Sequence, residues 1–257
     1  MDKNTFTVSF TTAELLCAAT ALGIATLPQS IKLPKQLTGP ELQIEIDKGY
    51  ESLQKRKLIH SLSPLQWQID NLLAVLVQWM VAPDYLLQLE IWQRNGKQQR
   101  ETIYFWQNEA LLLQSSADQN HFTFFKSSDR WVHRTLEKFG PVVNSTNDDC
   151  LSVPQLNLVA FLHKVQQNPV DPDSVSILRR AGLSSERSKQ TLAKLATVTQ
   201  AATLTWQNRT FQNVQSVLFL FTPECIWGGE DECKTATTEL HPLSEEGLIH
   251  LLTFNDA

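Results

Sequence analysis

Residues 85–106 have the sequence YLLQLEIWQRNGKQQRETIYFW. Apolar side chains fall on alternate positions from Leu87 to Ile91, a period of two that is typical of a strand with one buried face. The pair Asn95-Gly96 favours the positive φ angles of a tight turn, and the apolar run Ile103–Trp106 follows as the return strand. This segment therefore predicts an antiparallel hairpin.

Helices are predicted before the hairpin, and further strands after it. Thr11-Thr12 can cap a first helix that ends at Gly23, and the spacing of apolar residues from Leu42 to Leu53 predicts a second helix that ends in Lys55-Arg56-Lys57. A third helix is predicted after Ser63-Pro64, with an apolar stripe from Leu65 to Met80 and a stop at Pro83. Later patterns predict two strands and a closing helix, at Ala110–Leu113, His121–Phe125 and Ser128–Phe139.

The second part of the chain repeats this order of segments. Leu151-Ser152-Val153-Pro154 opens a predicted helix, and strand segments such as those around Trp92 and Trp206 correspond at a constant offset of about 114 residues. Because a slip of one residue inverts the faces of a strand, a register kept over several strands indicates duplication. We predict an α+β fold, a single domain over 1–257 with pseudo-twofold-related repeat halves at 1–145 and 146–257. Each half has helices, an antiparallel strand meander and a closing helix.

Composition excludes several classes of protein. The 257 residues are 42% hydrophobic and 19% charged with a net charge of -5, so the chain is globular, and it has no excess positive charge to attract nucleic acid. No apolar run reaches the roughly 18 to 20 residues of a membrane span, and the N-terminus lacks a Sec-type signal pattern. We therefore expect a cytoplasmic protein that binds neither nucleic acid nor membrane.

No local motif indicates catalysis, a metal or a cofactor. The four cysteines form no CxxC pair, the six histidines stand singly, and the nine glycines form no phosphate-binding loop. The acidic clusters lack the spacing of a calcium loop. We expect no catalytic residue, no metal ligand and no cofactor. The strand tryptophans permit two interpretations, core packing or a partner surface: Trp92, Trp106, Trp206 and Trp227.

The chain resembles the EspG family of type VII (ESX) secretion-associated chaperones. The resemblance rests on loose patterns that span most of the chain, in an opening helix, a basic helix end, a Pro-Asp step into the meander, and their counterparts in the second half. The opening helix is Phe10-Thr11-Thr12-Ala13-Glu14-Leu15-Leu16 with Leu22-Gly23 and Pro28 behind it, and the basic helix end is Leu53–Ile59. The Pro-Asp step is Met80-Val81-Ala82-Pro83-Asp84, and the segments of the second half are Leu151–Pro154 and Phe221–Gly228.

This resemblance implies a non-enzymatic cytosolic chaperone or adaptor. Its partner would be a helical secreted protein or heterodimer, PE–PPE-like or WXG-like, held before export. The family's contacts, carried onto this chain, imply partner-binding residues at the hairpin tip and in a later helix: Arg94, Asn95, Gly96 and Lys97, and Arg187, Gln190 and Lys194.

Two other functions stay open at the level of sequence. In the first, the basic helix ends Lys55–Ile59 and Arg179–Leu183 are recognition elements of winged-helix-like modules in a nucleic-acid-binding regulatory protein. The acidic net charge argues against it. In the second, an unrecognised site between the repeats makes the protein an enzyme.

Overall fold

A computed structural model describes residues 5–28, 30–31, 37–63, 66–116, 119–140, 142, 150–154, 158–210, 212–230 and 237–253. It combines helices with antiparallel strands, which confirms the predicted α+β class. In chain order the elements are β1 (Thr5–Thr11), α1 (Thr12–Ala21), α2 (Gly39–Lys55), β2 (Ile59–Ser63), β3 (Gln66–Ile69), α3 (Asn71–Val81), β4 (Tyr85–Gln93), β5 (Gln98–Trp106), β6 (Glu109–Ser115), β7 (Gln119–Phe125), α4 (Ser128–Phe139), β8 (Leu151–Pro154), α5 (Leu158–Gln167), α6 (Pro172–Arg180), α7 (Ser185–Ala196), β9 (Gln200–Asn208), β10 (Asn213–Phe221), β11 (Ile226–Glu230), β12 (Thr237–Pro242) and α8 (Glu245–Leu252). None of the helices within the described ranges is long and apolar enough to cross a membrane.

The chain divides into two compact units. The first comprises Met1–Leu86, Glu101–Trp131 and Asn208–Thr210, and the second comprises Leu87–Arg100, Val132–Gln207 and Phe211–Ala257. Strands of the first unit lie in the order β1-β7-β6-β5, and those of the second lie in the order β4-β9-β10-β11-β12-β8. The units do not coincide with the halves 1–145 and 146–257, because Leu87–Arg100 belongs to the second unit.

The first unit begins with the predicted capped helix. The Thr11 hydroxyl accepts a hydrogen bond from the Glu14 N–H, and the Glu14 carboxylate accepts one from the Thr11 N–H, so α1 starts with a capping box. Helix α1 packs on α2, where Gly49 lets the two backbones approach closely: a Cβ there would lie 2.0 Å from the Ala13 carbonyl oxygen. Buried residues of α1, α3 and the strands form the core of this unit.

The third predicted helix begins later than its apolar stripe suggests. Residues 66–69 form β3, which pairs antiparallel with β2 as a two-stranded sheet, and α3 starts only after the Asp70 carboxylate caps it by accepting from the Leu72 N–H. The prediction was wrong over these residues because Trp67 and Ile69 alternate with glutamines, a strand period inside a longer apolar stripe. Pro64 and Leu65 lie outside the described residues.

The second unit also corrects one prediction. Leu151–Pro154 is strand β8, paired antiparallel with β12, and the helix that this segment was expected to open starts at Leu158. The reason is the period-two burial of Leu151 and Val153, which face the core of the second unit while Ser152 is only half-buried. The last helix, α8, has Ser244 as its N-cap, with the Ser244 hydroxyl accepting from the Gly247 N–H.

Each unit contains consecutive antiparallel strands beside an earlier one. In the first unit β5, β6 and β7 follow one another and β1 lies beside β7. In the second, β9 to β12 follow one another and β8 lies beside β12. The internal repeat inferred from the sequence stays a prediction.

Candidate partner-binding site

Residues Arg94–Lys97 form the turn of the predicted hairpin, and all four are exposed. The Gln93 N–H donates to the Lys97 carbonyl at 2.9 Å, and the Gly96 N–H donates to the Gln93 carbonyl at 2.9 Å. Gly96 has a φ of 81°, which a residue with a Cβ adopts at a cost. The Asn95 side-chain oxygen accepts from the Lys97 N–H at 3.0 Å, so the turn is closed by its own residues.

The base of this turn is held to other segments of the second unit, to which the turn itself belongs. The Arg94 N–H donates to the Thr199 carbonyl at 3.0 Å, and the half-buried Trp92 packs against the core that α5 and α7 share. A cavity of about 20 Å³ between Trp92, α5 and residues 198–201 has room for about one water molecule. The base of the hairpin tip is therefore held by a backbone hydrogen bond of Arg94 and by the packing of Trp92.

Helix α7 places three of the predicted residues on one groove. The Ser184 hydroxyl caps the helix by accepting from the Arg187 N–H at 3.2 Å. Helical spacing then brings Arg187, Gln190 and Lys194 to the same side, where they line a groove of about 420 Å³. The groove also includes Leu183, Thr191 and residues 150–152 at the start of β8.

Lys194 is oriented by an aromatic ring at this groove. Its Nζ lies 4.9 Å from the centroid of the Trp227 ring, a cation–π contact. Trp227 is itself 5% exposed and Trp206 is 3% exposed, so these two strand tryptophans belong to the core. Trp92 and Trp106 are half-buried, and Trp106 stacks on Trp79.

The predicted site residues thus fall into two groups. Arg187, Gln190 and Lys194 share one groove, whereas the hairpin tip does not contribute to its lining. Both groups present basic side chains, since Arg94 and Lys97 belong to the tip. The arrangement can donate hydrogen bonds to carboxylates or to exposed backbone carbonyls of a partner.

Sequence reasoning missed a cluster at the groove, one of whose members, Cys150, belongs to the groove lining. The Cys150 sulfur, a Glu239 carboxylate oxygen and a His241 ring nitrogen lie within 4.8 Å of one another. Burial raises the pKa of the Cys150 thiol and the Glu239 carboxylate raises it further, while Arg187 and a hydrogen bond from Ser152 act in the opposite direction. No local spacing signals this cluster, because only the pairing of β8 with β12 brings its members together.

The other described cysteines are structural. Cys17 is buried in the core of the first unit, and burial together with Asp47 and Glu14 raises the pKa of its thiol to about 12. Cys225 is buried in the core of the second unit, and burial raises its pKa as well. Cys17, Cys150 and Cys225 are free thiols, whereas Cys233 lies outside the described residues.

Comparison with known proteins adds one strong structural likeness. No family model matches the sequence, and no curated protein matches it either. The solved structure of the Mycobacterium tuberculosis type VII secretion system chaperone EspG5, in complex with a PE25-PPE41 dimer, covers 96% of this chain and 94% of that chain, with a TM-score of 0.62. The chain has an EspG-like fold.

The EspG-like fold is shared at only 9% sequence identity, so the likeness concerns the fold and not individual site residues. The matching structure is that of a chaperone and not of an enzyme. A second structure, peroxisomal multifunctional enzyme type 2 from Drosophila melanogaster, is 12% identical over 93% of this chain and 48% of that chain. Its TM-score is 0.16.

Proposed function

We propose that this protein is a non-enzymatic chaperone of the cytoplasm that binds a helical type VII secretion substrate, PE–PPE-like or WXG-like, before export. The observation that carries the proposal is the EspG-like fold, which covers 96% of the chain and aligns it with a chaperone solved together with its dimeric partner. A fold supports many functions, so the proposal rests also on what the exposed surface offers.

The partner contacts proposed are the hairpin tip and the groove of α7. The tip is exposed and braced at its base, so it can dock without losing much conformational freedom. The groove presents Arg187 and Lys194 beside the apolar side chain of Leu183. Cations suit the carbonyl-rich C-terminal end of a helix or an acidic side chain near it. A helical partner is thus chemically compatible with this surface.

The two other functions suggested by the sequence have less support. A net charge of -5 gives nucleic-acid phosphates little attraction, and Arg56, one of the basic helix-end residues, is bound to Glu14. A catalytic thiol needs a lowered pKa, whereas burial and Glu239 raise that of Cys150. Neither observation favours nucleic-acid binding or thiol catalysis over partner binding.

The test is co-expression with the helical secretion substrates encoded beside this protein's own gene, followed by co-purification. The tip is altered by Asn95→Asp with Lys97→Glu, because Asp keeps the side-chain acceptor of the turn and Asp-Gly suits the same turn type. The groove is altered by Arg187→Glu with Lys194→Glu. Lys189→Glu is the matched control, an exposed residue of the same helix outside the groove lining.

The wild-type protein and Lys189→Glu are expected to retain a helical partner in a defined complex. Each double variant is expected to weaken that complex at least about tenfold, because charge reversal places like charges against the partner. A complex unaffected by either double variant would remove that surface from the interface. The absence of any helical partner from the wild-type sample would refute the proposed function.

A further inference from the structure

The pairing of β8 with β12 places three metal-binding side chains together in the second unit. Leu240 pairs with Leu151 and Glu239 pairs with Ser152, so the next register position sets His241 opposite Cys150. Residues two apart on a strand share a face, which puts Glu239 and His241 on the same side of β12. Their donor atoms and the Cys150 sulfur lie within 4.8 Å of one another.

This donor set has the chemistry of a zinc site. Thiolate, imidazole and carboxylate are the three side-chain ligands that zinc uses, and three protein ligands with one open position are typical of accessible zinc sites. A tetrahedral zinc ion would hold such donor atoms about 3.3 to 3.6 Å apart. The cluster therefore needs an inward movement of only about 1 Å, and the exposed Glu239 and His241 side chains are free to make it.

The surroundings of the sulfur favour a bound cation over an isolated thiolate. Cys150 is half-buried next to the core strand residues Leu151 and Val153, and Glu239 places a second negative charge beside it. Zinc would replace the thiol proton and neutralise both anionic ligands. Arg187 is the one described cation that also acts on Cys150, and its single charge only partly offsets theirs.

We propose that Cys150, Glu239 and His241 bind one zinc ion, with water in the fourth position. The ion joins β12 to β8, the last strand in the order of the second unit. Sequence spacing predicts no metal here because Cys150, beside β8, is far along the chain from Glu239 and His241 on β12. The zinc site shares Cys150 with the lining of the α7 groove, but zinc binding does not require the proposed chaperone function and is tested without a partner.

The experiment is a zinc titration of the full-length protein after removal of metal with a chelator, followed by calorimetry and repeated with Co²⁺ for spectroscopy. One ion per chain is expected, with a sulfur-to-cobalt charge-transfer band and an affinity that rises between about pH 6 and about pH 8 as the thiol proton is displaced. Heat denaturation should move to higher temperature when zinc is present, because zinc binds the folded protein.

The variants Cys150→Ser, Glu239→Gln and His241→Gln test the three ligands. Loss of even an outer-shell partner costs about 10- to 100-fold in metal affinity, so loss of a ligand is expected to cost about 100-fold or more. Cys225→Ser and His250→Gln are the matched controls: they alter a buried thiol and an exposed histidine elsewhere, and should bind zinc as wild type.

Far-ultraviolet circular dichroism of each metal-free variant checks that the fold is intact. Two results would overturn the proposal. One is zinc binding that persists unchanged in Cys150→Ser and in His241→Gln. The other is a loss of zinc binding in Cys233→Ser together with unchanged zinc binding in Cys150→Ser.

Discussion

The Nη1 of Arg56 lies 2.9 Å from each carboxylate oxygen of Glu14, which is only 2% exposed. The same carboxylate accepts hydrogen bonds from the Thr11 N–H and from the Ser52 hydroxyl. The Arg56 guanidinium also lies over the Phe10 ring, 4.7 Å from its centroid. One buried anion thus ties β1, α1 and the end of α2 together.

We expect Glu14→Gln to lower the free energy of unfolding by about 2 to 3 kcal/mol. The amide keeps the shape of the side chain but leaves the Arg56 charge without its anion and disturbs the capping box. Urea denaturation measures the change. The matched control is Glu45→Gln, which removes the carboxylate of the Glu45–Lys48 pair on α2 and should cost about 0.5 kcal/mol or less. Equal losses in the two variants would contradict a structural role for Glu14.

Gly49→Ala is expected to destabilise the first unit by about 3 kcal/mol. The new methyl group would meet the Ala13 carbonyl oxygen at 2.0 Å, and because that atom belongs to the α1 backbone, the helices would have to separate. Gly39→Ala, at the start of the same helix, places its new Cβ more than 4 Å from every atom outside its two chain neighbours, and only the ring of Pro40 restricts it, so it should cost clearly less than Gly49→Ala. Thermal denaturation of both variants checks the contrast, and similar melting temperatures would exclude the close approach.

Elements with a strong local signal could be predicted from the sequence. Alternation and Asn95-Gly96 predict the hairpin, and Thr11-Thr12 predict the start of α1, because each signal lies within the segment that it organises. Strand β3 was missed because its four residues lie inside an apolar stripe that also fits a helix. Strand β8 cannot be identified from the sequence, because its four residues show too few periods to distinguish a strand from the start of a helix.

The candidate sites, too, could be predicted only where their residues lie close together in the sequence. The groove residues of α7 share one side of a helix, so their meeting can be foreseen from spacing alone. Cys150 and His241 become neighbours only through the register of β8 against β12, which depends on the whole sheet and leaves no trace in local sequence.

Thiol reactivity should separate the described cysteines. A pKa of about 12 leaves roughly one Cys17 thiol in 10⁴ ionised at about pH 8, and the thiolate is the reactive form. Burial raises the pKa of Cys225 too, whereas Cys150 is half-buried and within reach of a reagent. In a Cys233→Ser background, a thiol-specific reagent should label Cys150 first and Cys17 only after unfolding. Mass spectrometry of partly labelled protein identifies the order, and early labelling of Cys17 would refute it.

Gly229→Ala should both destabilise the second unit and weaken the proposed zinc site. A Cβ at Gly229 would lie 2.2 Å from the Glu239 carbonyl oxygen, so β12 would have to move away from β11 and carry Glu239 with it. We expect a loss of about 2 kcal/mol in the free energy of unfolding and about tenfold or more in zinc affinity, because a shifted strand spoils the ligand geometry. Gly247→Ala is the control, since its new Cβ would make only an ordinary 3.4 Å contact with the Ser244 hydroxyl. Zinc titration and urea denaturation of both variants decide the matter: a Gly229→Ala protein with lower stability but wild-type zinc affinity would show that β12 does not position the ligands.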